Sequence, residues 1–161
     1  MEDEMKGFAK KLGVGLVLIG LLLFAQLGYS ASSMDDYTTR YLDLPGNVDI
    51  WVLSWTAHTN GSFTNATTRW AVDGYVFMVI VNPGTTAPQA AYDITLLDSD
   101  GMDIMGGQLT DLSATVTAQF VPMIGTVYGT RFVRGPLTMT LSGNNINTAI
   151  GEVIIYIWGG E

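Results

Sequence analysis

The feature that most constrains this chain is its punctuation. From residue 47 onward, short runs of apolar, β-branched and aromatic residues are cut by Gly, Pro, Asn and Asp at intervals of about 8–12 residues. No stretch there sustains the period of an amphipathic helix. The spacing predicts an all-β fold: an antiparallel β-sandwich or jelly roll of about eight or nine strands, with one hydrophobic helix ahead of it.

Individual runs carry different weight. Residues 48–55, VDIWVLSW, place Val48, Ile50 and Val52 on one face and Asp49, Trp51, Leu53 and Trp55 on the other. Both faces are largely apolar, which predicts a strand covered on both sides or lying at an interface. Residues 75–81, YVFMVIV, end at Asn82-Pro83-Gly84 and predict a central strand. Residues 137–141 alternate as a half-buried strand, and 153–158 close the domain. Stretches 64–70, 114–121 and 126–133 are weaker strand candidates, and 110–113 reads as a short turn or helix capped by Asp111 or Ser113. Between them, residues 91–109 read as a β-hairpin. Its arms, 92–97 and 102–105, flank the turn formers Asp98-Ser99-Asp100-Gly101.

Charge divides the chain. All three lysines, Lys6, Lys10 and Lys11, lie in the first eleven residues, and beyond them twelve acids face only Arg40, Arg69, Arg131 and Arg134. A nucleic-acid binder needs a basic patch to neutralise phosphates, so nucleic acid is excluded as a partner. With no cysteine, disulfides and thiolate metal sites are excluded too.

Residues 12–34 carry no charge, and their apolar core spans 12–27. Sixteen residues fall short of the roughly 20 that cross a bilayer as a helix, and small residues follow around Ser30 and Ala31. Residues 1–33 therefore read as a signal peptide, with an uncleaved membrane anchor through 12–27 as the alternative. Residues 34–46 read as a linker or extended arm, and 47–161 as the β domain.

Chemistry is sparse. Asp98, Asp100 and Asp103 surround a tight turn as oxygen ligands of Ca²⁺ would, but an EF-hand loop starting at Asp98 would place Asp103 at its glycine position and Leu109 at its glutamate position. Turn formation is the better reading of these aspartates. His58 is the only histidine and reads as a solvated turn residue, and no nucleophile motif accompanies it. The chain reads as non-enzymatic, with no cofactor. Trp51, Trp55, Trp70 and Trp158 are the candidate interface residues, in a core, at an oligomer contact or as a sugar-stacking face.

Trp51-x-x-x-Trp55-Thr56, the Gly61-Ser62 turn, AYDITLLDSDGMDI at 91–104, GPLTMTLSG at 135–143 and GEVIIYI at 151–157 follow one another in a set order. In that order the chain resembles small β-rich structural proteins of tailed bacteriophages, over about residues 48–158. The resemblance implies a virion component, a head decoration or fibre-associated protein that forms homo-oligomers, with a trimer as the candidate state, and with a phage capsid or other virion protein as partner. It implies no catalytic residue. An exported or membrane-anchored domain that binds a glycan or receptor at the cell surface is the alternative reading.

Overall fold

The computed structural model describes residues 31–41 and 47–159. The expected helix and leader fall almost wholly outside the described residues, and Ser33 already begins a strand. The strands are β1 Ser33–Tyr41, β2 Val48–Thr56, β3 Ala66–Thr67, β4 Val72–Pro83, β5 Asp93–Leu97, β6 Ala118–Phe120, β7 Met123–Ile124, β8 Val127–Tyr128, β9 Arg131–Gly135, β10 Thr138–Ser142 and β11 Ile150–Trp158.

Among the described residues every strand pairing is antiparallel. Six strands form one sheet in the order β1-β2-β11-β4-β6, with β9 paired to the other end of β4. This sheet curls as an open half-barrel. A second sheet runs β3-β10-β5, and β7 and β8 pair with each other alone.

Period-2 alternation sets the core. On β11, Gly151, Val153, Ile155 and Ile157 are buried, while Glu152, Ile154 and Tyr156 face the other way and are only partly covered. β2 contributes Trp51, Leu53 and Trp55, and β4 contributes Val76, Val79 and Val81. Two inward residues three apart on β4 need a bulge. The register supplies it, because Tyr156 pairs Met78 while Ile157 pairs Val76, which leaves Phe77 as the extra residue. Ile94, Leu96 and Met139 of the second sheet enter the same buried cluster. Each such aliphatic side chain contributes about 1.5–3 kcal/mol when fully buried.

Three expectations change. Residues 34–41 of the expected linker or extended arm are extended but are no free arm: they form most of β1, paired with β2 along all nine positions. It is an edge strand, and polar residues suit an edge. Asp36 helps to hold it: its side chain is 2% exposed, and its carboxylate accepts the Nε–H and backbone N–H of Arg69, each at 3.1 Å.

The hairpin at 91–109 has only one regular arm. The turn closes as expected, with the amide of Asp98 donating to the carbonyl of Met102 at 3.0 Å. The return arm then makes a single bridge, between Leu97 and Asp103, and β5 takes β10 as its ladder partner. From there the chain follows the free edge of β5 irregularly. Ile104 donates to Leu96, Ile94 to Leu109 and Leu112 to Tyr92, at 2.8–2.9 Å. This path drops Ile104, Met105, Leu109 and Leu112 into the core. Burial of those side chains outweighs a regular second arm.

Residues 126–133 are also not one strand. They divide into β8 and the start of β9. Among the described residues there are eleven strands and no helix, so the turn at 110–113 opens none.

Candidate functional site

The outward face of the six-stranded sheet is built in cross-strand rows. Trp158 stands opposite Val48 on one side and Tyr75 on the other, and Tyr75 stands opposite Phe132. The next row joins Ile50, Tyr156 and Met78, and the next Val52, Ile154 and Ile80. A polar row of Ser54, Glu152 and Asn82 follows, in which Asn82 Nδ2 donates to Glu152 at 3.3 Å. The face thus grades from aromatic through aliphatic to polar.

The aromatic row is open. Trp158, Tyr75 and Phe132 are 45%, 50% and 51% exposed. The Tyr75 and Phe132 rings meet at 5.2 Å, and Phe77, the bulge residue, stacks on Trp158 at 4.5 Å. Gly74 permits this close approach of β4 to β11. A Cβ there would stand 2.5 Å from the Trp158 carbonyl oxygen and 2.6 Å from Ile157 Cγ2.

A second apolar surface rises where β6 and β9 leave a gap along β4. The hairpin β7–β8 turns at Gly125-Thr126, where Gly125 adopts φ 64°, a conformation natural to glycine. Its base is fixed, since Met123 donates its amide to Met105 at 3.2 Å and Gly129 donates to Pro122 at 3.0 Å. Its tip is bare. Ile124, Val127 and Tyr128 are 53%, 67% and 65% exposed, and Val121 is 42% exposed beside them. Between this arm and β6 lies a shallow cleft of about 460 Å³ lined by Gln108, Gln119, Phe120, Val121 and Tyr128. Residues 112–130 contain no charged side chain. Soluble chains rarely leave such apolar elements uncovered without a partner for them.

The four tryptophans separate. Trp51 and Trp55 are 7% and 2% exposed and belong to the core. Trp70 is 70% exposed in the loop after β3, and Trp158 lies in the aromatic row. Phe132, Ile124, Val127 and Tyr128 escape a sequence reading, because a run of apolar strand residues does not say which face is covered. Period-2 alternation on β4 and β9 was the signal available.

The aspartates close turns. Asp98 Oδ1 accepts the amides of Asp100 and Met102 at 3.0 and 2.9 Å, and Asp103 accepts those of Met105 and Gly107 at 3.0 and 2.6 Å. Asp100 is exposed at the tip. Among the described residues no three His, Asp or Glu side chains are grouped to hold a metal ion. His58 is not merely a solvated turn residue. Its Nδ1 accepts the amide of Ser32 at 3.0 Å, which puts the ring proton on Nε2, 3.0 Å from Thr64 Oγ1.

No protein-family model matches the chain, and no curated protein matches it. The virion location and the phage-capsid partner expected from the resemblance are accordingly withdrawn. The membrane is withdrawn as a partner and as a location as well. Among the described residues no helix is long and apolar enough to cross a bilayer, and the apolar runs there are strands. Residues 12–27, on which the anchor was placed, lie outside the described residues.

Proposed function

We propose that the β domain is a non-enzymatic structural module that oligomerises through apolar strand surfaces, with the β7–β8 arm as the principal contact. The observation that carries this reading is the arm itself: three large apolar side chains more than half exposed on a hairpin whose base is pinned by backbone hydrogen bonds. An apolar knob beside an uncharged cleft suits a two-fold contact, in which each copy offers its tip and receives its partner's. Charge supports the same surface. A chain of net charge −8 repels its own copies, and the uncharged stretch 112–130 is where two copies approach without opposing carboxylates.

The domain is read as a β-sandwich, supported by the single buried cluster that both sheets share. Because the chain has no cysteine, single-cysteine variants report contacts cleanly. Val127→Cys is expected to form a disulfide-linked dimer under mild oxidation, and Asp100→Cys, on an exposed turn elsewhere, is not. Equal cross-linking of both, or of neither, rules the arm out as the contact.

A further inference from the structure

The aromatic row has a different character from the arm. Trp158, Tyr75 and Phe132 come from three adjacent hydrogen-bonded strands, β11, β4 and β9, at directly opposed positions. The ladder fixes their order, and strand spacing sets the row at about 10 Å from end to end. Each ring is near half exposed, and the Trp158 indole is backed by Phe77. The result is a short, rigid line of rings on a sheet surface.

The next positions along β4 and β9 on this face are Asp73 and Arg134. They are register partners, and Asp73 Oδ2 lies 3.8 Å from Arg134 Nε. Both are well exposed, so donors and acceptors stand beside the rings with no net charge between them. We infer that this row is a binding platform for a neutral polysaccharide. The C–H faces of sugar rings stack on aromatic rings, and hydroxyls at the edge of such a stack find hydrogen-bond partners in Asp73 and Arg134. The locally balanced pair, on a chain of net charge −8, selects an uncharged glycan and disfavours a polyanionic one. This platform is independent of the assembly contact and does not use the arm.

The test is affinity electrophoresis of the full chain in native gels that contain hydroxyethyl-cellulose, dextran, galactomannan or, as the anionic case, alginate. Retardation is expected in at least one neutral gel and not in alginate. Trp158→Ala and Tyr75→Ala are each expected to weaken it about tenfold or more, as loss of a central aromatic contact does. Trp70→Ala is the control, since Trp70 is the most exposed tryptophan but lies off the row. Melting temperatures of the variants establish that each is folded, and Arg134→Gln provides a second variant at the rim whose replacement leaves the rings in place. Mobility unchanged in every neutral gel, retardation by alginate alone, or equal losses in the Trp70 and Trp158 variants would overturn the inference. Capture of a protein in place of any glycan would overturn it too.

Discussion

Gly151 and Trp55 face each other across β11 and β2, and the indole fills the space where a side chain at 151 would be. A Cβ on Gly151 would stand 2.7 Å from Trp55 Cζ2 and 3.0 Å from Nε1. The indole has little freedom to yield, being 2% exposed and set edge-on against Phe63 at 6.2 Å. Glycine in an ordinary strand is a weak point that alanine improves. Here Gly151→Ala is expected to cost about 1–3 kcal/mol through overpacking, read as a lower midpoint in urea with an unchanged slope.

Tyr92 is buried against the same indole, and its hydroxyl makes no hydrogen bond among the described residues. Burial pushes its pKa from 10.0 up to about 12. An acid whose folded pKa is raised holds its proton longer in the folded state. Its contribution is therefore complete below pH 10 and is lost as pH climbs toward 12, while the unfolded chain ionises first. Tyr92→Phe is expected to flatten that alkaline decline and to add about 1 kcal/mol at neutral pH, because it removes an unpaired buried oxygen. Thermal melts of both proteins between pH 7 and 11 check the two effects together.

Asn144 ties three loops at one buried point. Its Nδ2 donates to the carbonyl of Gly61 at 2.7 Å and to that of Ile146 at 3.2 Å, and its Oδ1 accepts the amide of Gln89 at 3.0 Å. Asn144→Ala leaves those backbone groups without this partner and is expected to cost about 2–4 kcal/mol. Asn144→Asp sets a carboxylate oxygen against the carbonyls of Gly61 and Ile146 where the donor stood, so at neutral pH it is expected to cost at least as much as Asn144→Ala in an equilibrium unfolding series.

Thr148 is a β-branched residue held at φ 53°. That region is strained for such a side chain and tolerated by asparagine. Its amide still donates to the carbonyl of His58 at 2.9 Å, which keeps the backbone in place. Thr148→Asn is expected to raise stability by about 0.5–1 kcal/mol, seen as a higher melting temperature.

Sequence patterns foretold the parts of the fold that local alternation controls. The apolar runs of β2, β4 and β11 became the inner strands of the large sheet, and 137–141 became most of β10. β1 was hidden because an edge strand with polar residues carries no hydrophobic period; its partner, β2, determines it. The return arm at 102–105 was lost to burial, since the core needed Ile104 and Met105 more than β5 needed a regular neighbour. The candidate surfaces were harder still to read. Trp158, Tyr75 and Phe132 are far apart in the chain, and only the β11–β4–β9 register aligns them. Val127 falls in a weak strand candidate and Ile124 in none, and only the fold, which among the described residues leaves that hairpin tip uncovered, reveals both as exposed.

The central claim, association through the β7–β8 arm, is tested most directly by the molar mass in solution from sedimentation velocity. The wild-type chain and Ile124→Glu/Val127→Glu are compared over the same concentration range, with melting temperatures showing that both are folded. A wild-type species heavier than the 17.4 kDa of one chain and a variant that sediments as a monomer are expected. A wild-type monomer across the concentration range, or a variant that keeps the wild-type mass, would contradict that claim.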